Sequence, residues 1–241
     1  MKKINLFLLL LPLNLLFAAE DDLRTRYEFS DAVSLKREWV KKGKQFGTPM
    51  TEFYVRNNKE ARDERVLVVE TKKSSGFLAT RISDDVWRNY PVLRWRWRVL
   101  QKIQFKKKEL DDQAAVIYFG DGSMLKQYLL GYRWEHSPAI GSSGIIKYGM
   151  GATTVFRMCM RNRKAQVGKW YVEERNVVED FKKAFGRMPD GDCALTIGAN
   201  SQHSGSVGLV EIDYIEFCKA EVKTPATLTI SSNIAERKDA K

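Results

Sequence analysis

The stretch Leu93-Arg94-Trp95-Arg96-Trp97-Arg98-Val99 alternates apolar and cationic side chains without a break. Successive side chains of a β-strand point to opposite faces, so Leu93, Trp95, Trp97 and Val99 share one face and Arg94, Arg96 and Arg98 the other. One face plugs a core and the other carries three fixed positive charges. The pattern predicts a β-sandwich whose basic, concave surface is available for work.

Similar short runs of β-branched and aromatic residues recur along the chain. They are Phe53–Val55, Val66–Val69, Phe77–Thr80, Ala114–Phe119, Tyr128–Trp134, Thr153–Met160, Cys193–Ile197 and Val207–Phe217. Turn chemistry separates them, including Asp121-Gly122 as a hairpin signal and Gly141-Ser142-Ser143-Gly144 as a loop. Many closely spaced strands with few helices predict a single all-β domain, a jelly-roll sandwich of the lectin or glucanase kind. One helix is expected from Val177 to Phe185, with Asn176 as its cap and Gly186 as its left-handed stop. Ser30 to Lys42, ending at Gly43, is a second, less regular candidate.

The ends read differently from the middle. Residues 1–19 have the form of a secretory signal: Lys2 and Lys3, the apolar run Ile4–Phe17, then Ala18-Ala19. That run is 14 residues long and interrupted by Pro12 and Asn14, short of the roughly 20 a membrane span needs. The expected mature protein is periplasmic or secreted, folded over residues 20–218, with 219–241 as a disordered polar tail. An uncleaved N-terminal anchor is the alternative.

The formal net charge is +11, or +9 without Lys2 and Lys3. A basic exported chain is drawn to anionic polymers, which points to an acidic polysaccharide or envelope glycan as partner; the alternative is a merely cationic surface. No phosphate-cradling loop and no dinucleotide fingerprint occurs, so neither a nucleotide nor another cofactor is expected. Nucleic acid is not expected as a partner either. Cys159, Cys193 and Cys218 allow at most one disulfide and read better as buried thiols, and none has metal-ligand spacing to a second Cys or a His.

Several constellations bear on a site. Asp111 and Asp112 precede a strand; they would act as a carboxylate pair near the arginine row or as its ion-pair partners. Tyr132 and Trp134 share a strand face with Tyr128, Leu130 and His136, and serve either as sugar-stacking rings or as core, with Gly131 on the opposite face where something approaches the backbone closely. Arg175 and Glu174 stand before the helix. His136 and His203 are the two candidate bases near neutral pH. The expected ligand-binding set is therefore Arg94, Arg96, Arg98, Asp111, Asp112, Tyr132, Trp134, Arg175 and His203, with no catalytic residue assigned.

These same pieces resemble the bacterial family DUF3047. They are Pro91 with Trp95 to Val99, Asp111-Asp112 with Ala114, Tyr132 with Trp134, Trp170 through Arg175-Asn176-Val177 to Asp180-Phe181 and Phe185-Gly186, and Tyr214 to Phe217. The resemblance implies an exported β-sandwich and carries over no established catalytic residues. It also implies acidic residues before the last strand, where this chain has Asn200-Ser201-Gln202-His203-Ser204. Three functions follow as expectations: non-catalytic binding of an anionic glycan, cleavage of a polysaccharide by a lyase or hydrolase, and a structural envelope role.

Overall fold

The computed structural model describes residues 23–43, 46–104, 111–123 and 125–220. The signal segment, most of the polar tail and the Phe105–Leu110 part of the charged loop lie outside the described residues. The described chain is an all-β sandwich of two sheets. The first runs β11 (Tyr171–Asn176), β6 (Val92–Gln101), β13 (Val207–Cys218), β4 (Arg65–Lys72) and β3 (Glu52–Asn57). β13 has β6 along one edge; its other edge is shared by β4, opposite Val207–Ile212, and β1 (Leu23–Glu28), opposite Tyr214–Cys218.

The second sheet runs β2 (Val40–Lys42), β5 (Ser75–Ile82), β12 (Cys193–Asn200), β7 (Gln113–Ser123), β8 (Lys126–Trp134), β10 (Thr153–Arg161) and β9 (Ser143–Tyr148). All its pairings are antiparallel except β8 with β10.

The indoles anchor the interface between the sheets. Leu93, Trp95, Trp97 and Val99 are wholly buried. Trp95 meets Tyr132 of the facing sheet with ring centroids 5.3 Å apart, and Trp97 meets Trp134 at 5.4 Å. Each such ring removes a large apolar area from water, about 1.5–3 kcal/mol for a fully buried large side chain. Tyr132 and Trp134 are thus core rather than groove residues.

Helix α3 (Val177–Phe185) forms as its sequence predicts. Asn176 accepts the Val178 and Glu179 N–H groups at 3.1 Å, and Gly186 closes the helix at φ 69°. Its Asp180 is buried, accepts the Tyr132 hydroxyl at 2.8 Å and pairs with Arg175, whose Nε lies 2.8 Å from Oδ2. This network ties α3 to both sheets.

Three local expectations need correction. The helix predicted from Ser30 is the shorter α1 (Ala32–Glu38), because the chain turns extended at Trp39 to supply β2. Asp121-Gly122 lies inside β7 rather than at the hairpin tip. There the buried Asp121 carboxylate takes both terminal nitrogens of Arg187 at 2.7 Å. The glycine loop after Ala139 is half strand, since Ser143 and Gly144 begin β9. Short α2 (Asp84–Asn89) was not anticipated.

The cysteines are buried and carry free thiols. Burial pushes Cys159 and Cys218 up to about 11 and Cys193 in the same direction, so all three stay neutral and unreactive near pH 8. Iodoacetamide at pH 8 should label fewer than about one thiol per folded chain and all three after unfolding in guanidinium. Rapid labelling of the folded protein would contradict this packing.

Candidate functional site

The outer face of the first sheet carries the arginine row, and every one of its charges is answered from β13. Arg98 Nε lies 2.6 Å from Glu211 Oε2, Arg96 Nη1 2.6 Å from Asp213 Oδ2, and Arg94 Nη1 3.3 Å from Glu216 Oε1. A bulge between Ile212 and Tyr214 sets the spacing of Asp213 and Glu216 against β6, whose own register shifts between Val99 and Gln101. Glu211, Asp213 and Glu216 are buried, and Arg56, Arg62 and Arg26 approach them from the other side. The Trp170 ring lies over Arg96 and Arg98, 4.5 and 4.4 Å from their guanidinium carbons. This face is an ion-pair ladder closed on itself, not a basic groove.

Asp111 and Asp112 do not neutralise the row. β6 and β7 belong to different sheets, and both aspartates stand just ahead of β7, in the layer away from the row. Asp112 is buried and accepts the Ser204 N–H at 2.6 Å, fixing the loop that holds His203. Asp111 pairs with Arg133 at 2.8 Å and lies 3.8 Å from Arg157.

The second sheet has an open depression on its outer face. Its volume is about 770 Å³, within the range of ligand sites. Phe77, Tyr118, Leu129 and Val155 form an apolar floor; Gln113, Gln127, Asn200, Gln202 and His203 provide polar edges, with Asp111 and Tyr148 at one end and Lys42 among the remaining lining. A second depression of about 620 Å³, lined partly by the same Lys42, Ala79, Gln127, Leu129 and Ala194, extends it across the sheet.

Three glycines shape that floor. Gly198 pairs directly with Phe77 across β12 and β5. A Cβ at Gly198 would stand 2.2 Å from Phe77 Cδ1, and one at Gly43, on the other side, 2.4 Å from Cδ2. The ring therefore spreads across its neighbouring strands instead of standing off the sheet. Tyr118 does the same over its partner Gly131, where a Cβ would meet the ring at 2.8 Å. Gly131 thus has the close neighbour its sequence position suggested. The two rings meet edge to face at 6.0 Å.

A buried cation organises the polar end. Arg133 sits on this face yet is nearly inaccessible. It donates to Asp111 Oδ1 at 2.8 Å and Gln113 Oε1 at 2.7 Å, and its Nε is 3.0 Å from Glu135. Burial opposes its charge, and the surrounding Glu135 and Asp111 carboxylates outweigh that and hold it above the ordinary arginine range. The Tyr148 hydroxyl donates to Asp111 Oδ2. Burial first, then that hydrogen bond, raise the Tyr148 phenol, so it remains a donor.

Of the nine residues the sequence singles out, Asp111 and His203 line the groove and Asp112 supports it. Arg94, Arg96 and Arg98 lie on the opposite face, and Tyr132, Trp134 and Arg175 belong to the interior or to the Asp180 network. They do not converge on one surface. His136 lines a separate small recess with Lys102, Ala114 and Arg163. The residues missed are Phe77, Tyr118, Tyr148 and the amides. The signal for the first was present: Gly76 and Gly198 border the strand-like runs Phe77–Thr80 and Cys193–Ile197, where a glycine marks close approach.

Fold and groove together define a two-layer β-sandwich with an aromatic-floored depression on the outer face of its larger sheet. The chain belongs to the family described as "Protein of unknown function (DUF3047)", whose model matches residues 37–216. No curated protein sequence matches it. Among solved structures, it is similar to a carbohydrate esterase from the Shiga toxin-encoding bacteriophage phi24B, with TM-score 0.48 and 14% identity over 81% of this chain and 97% of that one. It is also similar to the family 11 carbohydrate-binding module of a Clostridium thermocellum cellulosomal cellulase, with TM-score 0.37 and 9% identity over 76% and 88% of the two chains. A third similar structure is endoglucanase 3 of Trichoderma harzianum, with TM-score 0.39 and 11% identity over 76% and 98%.

Proposed function

We propose that this protein binds a glycan chain along the outer face of its seven-stranded sheet, with Phe77 and Tyr118 as the stacking platforms. The observation that carries the reading is the Phe77 ring laid across Gly43 and Gly198, where any side chain would displace it. A flat, partly exposed ring outside the buried core cluster matches the apolar C–H face of a pyranose. Amide side chains at the groove edges complement sugar hydroxyls, because each amide both donates and accepts. The continuation into the second depression gives room for a chain rather than a single sugar.

Binding without cleavage is the favoured form. A two-carboxylate hydrolase needs its acids roughly 5–9.5 Å apart across a cleft, whereas Asp111 is the one carboxylate among the described residues lining the 770 Å³ depression, and in its continuation Asp121 and Asp192 are held by Arg187 and Arg81. A lyase built from His136, His203, Tyr132 and the arginine row loses its geometry, because those residues occupy different faces and the core. The test is a glycan array probed with the purified protein. Retention of at least one polysaccharide family, without shortening of the captured chains, is the expected result; failure to retain any glycan would refute the reading.

A further inference from the structure

We infer that the groove selects an uncharged glycan, and this inference rests on the glycan-binding reading above. The chain as a whole carries a formal charge of +11, which on its own would suggest an acidic partner. The placement of charge in the fold argues the reverse. The arginine row is consumed on the other face by Glu211, Asp213 and Glu216.

Among the described residues lining the 770 Å³ depression, the charged side chains are one cation, Lys42, and one anion, Asp111. Beside Asp111, Arg133 is buried between two carboxylates, 2.8 Å from Asp111 and 3.0 Å from Glu135, and Arg157 lies 3.8 Å from the same Asp111. A uronate bound beside them would compete with a protein carboxylate for the same donors. It would also stand next to Asp111, whose side chain is one-third exposed. The neighbouring depression adds Glu38, Asp121 and Asp192 against Arg81, so it offers no surplus of cations either. Asp121 is held by Arg187 and Asp192 by Arg81.

The neutral groups, by contrast, retain capacity. Arg133 takes the Gln113 carbonyl oxygen at 2.7 Å, leaving its amide NH2 to donate. Gln202 N–H takes Asn200 Oδ1 at 3.0 Å, leaving the Asn200 NH2 to do likewise. The charged Asp111 already accepts from Arg133 and Tyr148, and a carboxylate has further lone pairs to accept a hydroxyl. Donors from amides, an acceptor from a carboxylate and a flat aromatic floor suit a hydroxyl-rich, uncharged chain.

The experiment compares the full-length protein and Phe77→Ala by affinity electrophoresis. The gels contain mixed-linkage β-glucan, xylan or mannan as neutral polymers, and alginate or polygalacturonate as uronate polymers. Each is run at about 20 and 500 mM NaCl, the higher salt collapsing the screening length to a few ångströms. The expected result is Phe77-dependent retention by a neutral polymer, at least about tenfold tighter than by either uronate polymer and nearly unchanged by salt. Phe77-dependent retention that favours a uronate polymer would overturn the inference and leave the glycan-binding reading standing. No Phe77-dependent retention by any of the five would overturn both.

Discussion

Gly198→Ala is expected to weaken glycan binding about tenfold or more, the equivalent of about 1.4 kcal/mol, while leaving the fold intact. The new methyl would stand 2.2 Å from Phe77 Cδ1 and 2.6 Å from Cε1, closer than real contacts allow, so the ring must leave its place. Phe77 is only partly buried, and it can swing outward without opening the core. Gly198 does not require a left-handed backbone, which removes strain as a competing explanation. Phe77→Ala, which deletes the platform, should cost about 2 kcal/mol or more of binding, the size expected of an aromatic anchor. Gly144→Ala is the control: a Cβ there meets nothing within 4 Å, and binding should be unchanged. Isothermal titration with an oligosaccharide ligand, paired with thermal melts, separates loss of binding from loss of fold. Unchanged affinity in Gly198→Ala would show that the ring's position is irrelevant.

The largest effect on stability is expected at Glu211. Its side chain is completely buried, with one oxygen held by Arg98 at 2.6 Å and the other by Arg56, while Asn58 donates at 3.0 Å. Water cannot reach to replace the carboxylate, and Arg98, only 12% exposed, would lose its buried partner. Glu211→Ala should therefore destabilise the protein by about 3–5 kcal/mol, as expected for breaking a buried pair, read as roughly 10 °C in Tm. Arg94→Ala should cost under about 1 kcal/mol, because its pair with Glu174 is exposed and buried Glu216, which it also meets at 3.3 Å, keeps Arg26 and Arg62 as partners. Equal losses at the two positions would contradict a ladder whose strength lies in its buried carboxylates.

The two halves of the Arg-Trp-Arg-Trp-Arg strand were not equally legible. Alternation alone identifies Trp95 and Trp97 as core, since a sheet face with two indoles must be covered. The partners of the arginines were beyond reach. Glu211 and Glu216 lie 113 and 122 positions from Arg98 and Arg94, and a bulge in β13 sets the spacing that matches them. Asp111 and Asp112 are near in sequence and distant in space, because β6 and β7 belong to different sheets.

The candidate site was hidden for a related reason. Phe77 and Tyr118 look like any strand aromatics until strand pairing places Gly198 and Gly131 beside them, and register is a property of the assembled sheet. Tyr132 and Trp134 satisfied the same compositional pattern but have the opposite parity on β8. Local signals fared best where the physics is local, as at the Asn176 cap and the Gly186 stop of α3.

The central claim is that the working surface is the outer face of the seven-stranded sheet. Chemical-shift mapping on the isotope-labelled protein, titrated with a glycan that the array identifies, tests it directly. The account predicts shifts concentrated at Phe77, Tyr118, Gly131, Thr196 and Gly198, with Arg94, Arg96, Arg98 and Trp170 silent. Shifts centred on the arginine row and Trp170, with the glycine-backed rings unmoved, would contradict it.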